Sequence, residues 1–206
     1  MAELPFVWIA AVAGYLVAQL AYIAAFASAA SAYPRLRRYN FWLYAAFSLA
    51  YGGAFYATAP VTFAFEFRPA YLALLLVGFA MYYADTYAVS YLAGESLRQS
   101  VSHPISMLPV VLVVVPEEIL FRAGLSPLID AVGPAAFVAA SAVLFGLIHF
   151  TFGARDVLVK TFDGAVFAVV FVATGSLTAS VLTHLGYNLA SFHVFADYDR
   201  DVTTLP

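Results

Sequence analysis

The chain has 206 residues, of which 64% are hydrophobic and 10% charged, with a mean hydropathy of +0.90 and a formal net charge of −3. A soluble globular domain is about half apolar and about a quarter charged, so composition excludes that class and implies a polytopic membrane protein. The negative balance and the lack of a glycine-rich phosphate loop exclude nucleic acid as a partner, and with no cysteine disulfides, thiol catalysis and thiolate metal sites are excluded as well.

In lipid every backbone amide must be satisfied within the chain, which leaves a helical bundle or a closed β-barrel. Long apolar runs rich in Ala and Leu, without two-residue alternation, select the bundle. The first run spans residues 4–32 and has Glu3 but no Lys or Arg ahead of it. Its length and the missing basic start argue against a cleaved signal, although Ala30-Ser31-Ala32 resembles a cleavage site; a retained helix is expected. Further runs follow at 41–59, 70–93, 104–124, 134–151, 157–175 and 176–195, each close to the ~20 residues that cross a bilayer. Between them lie Pro34-Arg35-Leu36-Arg37-Arg38, Glu66-Phe67-Arg68-Pro69, Gly94-Glu95-Ser96-Leu97-Arg98, the stretch from Pro127 to Pro134, and Gly153-Ala154-Arg155-Asp156, combinations of Gly, Pro and charge typical of helix connections. Gly175-Ser176 must form a very tight turn if the last two runs are separate helices, and the polar end Asp197-Tyr198-Asp199-Arg200-Asp201 reads as a solvated tail.

The expected architecture is therefore all-α, a polytopic transmembrane bundle of about seven spans forming one integral membrane domain over residues 1–206. By the positive-inside rule, the loops with Arg35, Arg37 and Arg38, with Arg98 and with Arg155, together with the tail bearing Arg200, share the cytoplasmic side. That puts the N-terminus outside and the C-terminus in the cytoplasm, most naturally at the cell membrane.

Three patterns put ionisable or amide side chains inside these apolar stretches: Glu117-Glu118-Ile119-Leu120-Phe121-Arg122, Phe145-Gly146-Leu147-Ile148-His149 and His184-Leu185-Gly186-Tyr187-Asn188. Such groups cost several kcal/mol in lipid unless they pair or serve a function. Glu118 and Arg122 are four apart on a helix, with the acid toward the N-terminus, the favourable order for an ion pair. Glu117 projects about a quarter-turn away without a local counter-charge. It is either a solvated residue at a helix end near Pro116 or a general base that polarises a water. His149 follows Phe145 by one turn, so that ring can brace the imidazole; alone it would read as an interfacial residue. His184 and Asn188 share a face, and either serve a site or act as interhelical hydrogen-bond glue.

The other ionisable residues stay outside the constellation. His193 lies about 180° round the helix from His184, and His103 precedes Pro104 in a loop. Asp85 is a lone acid with no evident partner. The run Asp156, Lys160, Asp163 reads as structural, with Lys160 snorkelling to the interface beside Asp156.

In this order and on separate spans, Glu-Glu-x-x-x-Arg, Phe-x-x-x-His and His-x-x-x-Asn resemble the signature of the CPBP family, the CAAX-protease and bacteriocin-processing or Abi family. The resemblance covers about residues 104–195, which would hold the catalytic core. It implies a glutamate-dependent intramembrane endopeptidase acting without a metal or organic cofactor on a peptide or membrane-protein substrate in the lipid bilayer. By the family pattern Glu117 and His149 would activate the hydrolytic water, and His184 and Asn188 would stabilise the oxyanion, while Glu118 and Arg122 would hold the first helix of the site. The competing readings are a zinc-dependent membrane hydrolase ligated by Glu117, His149 and His184, a non-proteolytic scaffold or immunity protein of the same fold, and a proton-relaying transporter. Against these stand the missing His-Glu-x-x-His helix, a full set of polar motif positions that a scaffold would not need, and the absence of paired repeat halves with broken helices.

Overall fold

The computed structural model describes residues 4–58, 65–94 and 104–191. His103, His193, Arg98 and the acidic tail lie outside the described residues. Within them the chain is all-helical: α1 (Leu4–Ala32), α2 (Asn40–Thr58), α3 (Ala73–Ala93), α4 (Pro104–Leu112), α5 (Val114–Glu118), α6 (Pro127–Val132), α7 (Pro134–Leu147), α8 (Ala154–Thr174) and α9 (Leu177–Ala190). Short 3₁₀ turns at Pro34–Tyr39, Pro69–Leu72 and Phe150–Phe152, and a π turn at Ile119–Ala123, complete it.

Each of the seven apolar runs contains helix, but three helices, Ile9–Ala32, Pro69–Leu92 and Ala154–Thr174, are long and apolar enough to cross a membrane among the described residues. The expectation of seven spans is thus not reached by length alone. Helices α7 and α9 have 14 residues each, or about 21 Å at 1.5 Å per residue, shorter than the ~30 Å hydrocarbon core. The run at 104–124 is broken into α4, α5 and the π turn. Pro116 has no N–H to offer the preceding turn, and the helix loosens at Val113 ahead of it. Beyond Glu118 the turn widens, the Gly124 N–H reaching back five residues to the Ile119 carbonyl at 2.8 Å.

Polarity is inverted relative to a soluble protein. Leu92 and Leu158 are 83% and 72% exposed, whereas Glu118, Arg122, Asp163, Ser141, Ser180 and Thr183 are fully buried. An apolar exterior around a polar interior is what lipid as solvent demands.

In lipid the hydrophobic effect does not drive helices together, so small residues that let backbones touch take over. A methyl group at Gly78 would run into the Thr183 carbonyl of α9, and one at Gly186 into the Leu75 carbonyl of α3. The hairpin of α7 and α8 meets in the same way, through Gly146 against Thr161 and Gly164 against Phe145. Each short site-bearing helix, α9 or α7, is thereby clamped to a long one. The two-residue link Gly175-Ser176 between α8 and α9 is the tight turn expected, with Gly175 at φ 64.

Gly186→Ala should lower the thermal midpoint of the detergent-solubilised protein, since overpacking costs about 1–3 kcal/mol. Gly53→Ala, at an α2 position with open space around it, should leave the midpoint unchanged.

Candidate active site

The segment Val114–Glu118 and the π turn after it set the site. Glu117 and Glu118 are adjacent, 3% and 0% exposed, and diverge in their partners. Glu118 Oε2 lies 3.2 Å from Arg122 Nε, the i, i+4 pair that the spacing predicts. Its Oε1 accepts Nδ1–H of His184 at 2.9 Å, and the Ser180 hydroxyl donates to Oε2. With two hydrogen bonds and an ion pair on one buried carboxylate, Glu118 is held structurally and ties α5 and the π turn to α9.

Arg122 is equally enclosed. Its Nη2 donates to the Gly164 carbonyl of α8 at 3.1 Å, and its guanidinium lies 4.8 Å from the Phe145 ring centre and 5.4 Å from that of Phe167. A planar delocalised cation between two aromatic faces is a favourable arrangement once water is excluded.

His184 stacks on Phe167 with ring centres 4.7 Å apart and meets the edge of Phe145 at 5.4 Å. With Nδ1–H committed to Glu118, Nε2 is the free nitrogen, and it faces Glu117 Oε2 at 3.8 Å. A gap of that size between polar atoms suits a shared water. The other oxygen of Glu117 receives the Tyr44 hydroxyl of α2 at 3.5 Å. Glu117 is therefore the acid of the pair without an arginine, as its quarter-turn offset predicts.

His149 lies beyond the C-terminus of α7, in the connection to α8, and is half-buried. Its Nδ1 donates to the Phe145 carbonyl at 2.9 Å. A carbonyl oxygen only accepts, so that bond protonates Nδ1 and leaves Nε2 as an acceptor in the neutral ring. The His149 and Phe145 rings are 5.1 Å apart, the bracing expected from the one-turn spacing. Phe145 thus forms a wall common to His149, His184 and Arg122. No hydrogen bond or ion pair joins His149 to Glu117 among the described residues. Asn188, 9% exposed, donates Nδ2–H to the Val110 carbonyl of α4 at 2.8 Å; a second amide hydrogen remains on that nitrogen.

Glu117, Glu118, Arg122 and His184 thus come together directly; His149 and His184 share the Phe145 ring, and Asn188, one turn beyond His184 on α9, bonds to α4 rather than to any of the four. Among the described residues no group of three His, Asp or Glu side chains could hold a metal ion, so Glu117, His149 and His184 do not make the zinc site considered from the sequence.

Two expectations change. Lys160 pairs with Asp163 at 2.9 Å rather than with Asp156, and its ammonium lies 3.8 Å above the Tyr187 ring. It turns into the bundle instead of out to the interface. Asp85, without an evident partner in the sequence, comes up against Asp163 and Tyr187. Several site neighbours escaped the sequence reading. Ser180 was legible, four residues before His184 on the same face as Asn188; Tyr44, Gln19 and Phe167 carry no local signal.

Arg122→Ala should strand the buried Glu118 carboxylate and destabilise the protein by about 3–5 kcal/mol, read as a lower thermal midpoint or loss of the folded fraction in detergent.

Residues 100–190 match the family model of the type II CAAX prenyl endopeptidase Rce1-like family. No curated protein and no solved structure matches the chain. The matched residues hold every ionisable and amide position of the three motifs. Over residues 100–190 the chain is thus similar to the Rce1-like CAAX endopeptidase family, the same family grouping that its three motifs resemble.

Proposed function

We propose that this protein is an intramembrane endopeptidase that hydrolyses a peptide bond with Glu117 as general base. The observation that carries this reading is the division between two adjacent buried acids. Glu118 is paired with Arg122 and hydrogen-bonded by His184 and Ser180, while Glu117 keeps Oε2 facing His184 Nε2 at 3.8 Å.

Water is a poor nucleophile and needs a positioned base. Glu117, assisted by His149 Nε2, removes a proton from a water as its oxygen bonds to the scissile carbonyl carbon. The carbonyl π electrons move onto oxygen, and the oxyanion accepts hydrogen bonds from Asn188 Nδ2–H and from His184. His184 donates from Nε2 only as an imidazolium, because Nδ1–H is committed to Glu118, and the Glu118 carboxylate balances that charge. On collapse the C–N bond breaks, and the proton held by Glu117 passes to the departing amine.

The substrate class is a peptide or membrane protein presented within the bilayer. For the membrane arrangement we retain a seven-span reading, with the N-terminus outside and the C-terminus cytoplasmic in the cell membrane.

Glu117→Gln and His149→Ala should each abolish cleavage while the protein remains folded in detergent. Terminal-peptide mass spectrometry of membrane fractions measures this: new N-termini present with wild type and absent with Glu117→Gln identify the substrates. Identical termini in the two membranes would reject the peptidase and favour a scaffold. On a substrate so identified, Asn188→Ala should lose about 2.7–4 kcal/mol of transition-state stabilisation, measured as kcat/KM; full activity would remove Asn188 from the oxyanion role.

A further inference from the structure

The first half of the chain lies outside the matched residues 100–190, yet it reaches the proposed base. Helix α2 turns one stripe of residues inward at four-residue spacing, Tyr44, Ser48 and Gly52. A methyl group at Gly52 would stand 2.5 Å from the Pro116 side chain, so glycine there lets α2 close against the residue preceding Glu117. Two turns back on that stripe is the Tyr44 hydroxyl, 3.5 Å from Glu117 Oε1.

That hydroxyl is held from behind. Tyr15 of α1 lies 3.3 Å from it and 2.9 Å from the Ser48 hydroxyl. Gln19 donates Nε2–H to the Tyr44 oxygen at 3.4 Å and to the Ile148 carbonyl, next to His149, at 2.8 Å. Tyr15 and Ser48 are fully buried and Gln19 is 4% exposed. A phenol has one hydrogen to donate and two lone pairs to accept with. The Tyr44 oxygen accepts from Gln19 and Tyr15, and its own hydrogen has two destinations, a neutral hydroxyl or a buried carboxylate. A hydrogen bond to a charged group is about twice as strong as a neutral one, so the hydrogen goes to Glu117. Ser48, Tyr15 and Tyr44 then donate in sequence toward the carboxylate, each bond polarising the next.

We propose that Tyr44 is a positioning residue for Glu117, supplied by α2 and braced by Tyr15, Ser48 and Gln19. It rests on the reading of Glu117 as the base. Tyr44 occupies Oε1, which leaves Oε2, the oxygen facing His184, to take the proton from water. Through Gln19 the same network ties the turn bearing His149 to α1, so the helices without a motif set the relative placement of two motif residues.

The test is Tyr44→Phe, which removes the hydroxyl and keeps the ring beside Tyr22 and Phe47. The full chain in detergent is treated with dicyclohexylcarbodiimide at fixed pH, and labelling of Glu117 is followed by peptide mass spectrometry. With Oε1 released, labelling should be faster by roughly threefold to tenfold, the equivalent of one modest hydrogen bond, at an unchanged thermal midpoint. On a peptide spanning a cleavage junction mapped with wild-type membranes, kcat should fall by a similar factor with KM unchanged, a split that a merely structural residue would not produce. Wild-type labelling of Glu117 in the folded variant overturns the proposal, and so does faster labelling with wild-type kcat. If Tyr44→Phe does not fold, Tyr15→Phe is judged by the same two readouts. Should wild-type and Glu117→Gln membranes yield the same termini, the peptidase reading fails by itself, and labelling still decides whether Tyr44 holds Glu117.

Discussion

The structure is organised around one buried carboxylate. Glu118 forms an ion pair with Arg122 on the π turn and accepts hydrogen bonds from His184 and Ser180 on α9, while Arg122 reaches on to the Gly164 carbonyl of α8. Four elements of the bundle are joined by charge-assisted bonds in a place where any of these groups left alone would carry a heavy desolvation penalty. Because no water competes for the donors, the network also fixes geometry: it determines which nitrogen of His184 carries the proton toward Glu118 and which one faces Glu117. The function proposed for Glu117 depends on its neighbour holding Arg122.

Backbone proximity makes this network possible. The reciprocal glycines of α3 with α9 and of α7 with α8 bring short helices close to long ones without relying on a hydrophobic drive that lipid does not supply. Short helices in turn allow non-helical backbone at depth. His149 sits past the end of α7, where its Nδ1–H can satisfy the Phe145 carbonyl left open at the helix terminus. A longer α7 would have carried the imidazole along the helix surface instead. The π turn acts similarly at 119–123, admitting an extra residue into the turn between Glu118 and Gly124, a local irregularity of the kind that accompanies functional sites.

The aromatic ring of Phe145 connects what hydrogen bonds do not. It stands against Arg122, His149 and His184 at once, so the motif position four residues before His149 serves three site residues rather than one. On the opposite side, the hydroxyls of α1 and α2 approach Glu117. The cluster is therefore enclosed by both halves of the chain, although the family resemblance resides in the second.

Composition and spacing alone determined the membrane environment, the helical class and the pairing of Glu118 with Arg122. These follow from averages over the chain and from the fixed 100° step of a helix, neither of which needs a partner element. The seven apolar runs were visible for the same reason, but not their lengths as helices, because Pro116, the π turn and the exit at Leu147 arise where local propensity and packing against neighbours are settled together. Asp85 was misjudged because its partners Asp163 and Tyr187 lie on other helices. Lys160 was misjudged because the Tyr187 ring that draws it into the bundle belongs to α9, although its ion-pair partner Asp163 is on its own helix. Tyr44 and Gln19 were invisible because nothing in sequence relates residues 73 and 129 positions away from their contacts. Only tertiary structure decided that Glu118 rather than Glu117 holds His184, since Glu118 and His184 lie on helices 66 residues apart in sequence and the choice turns on how α9 packs against α5.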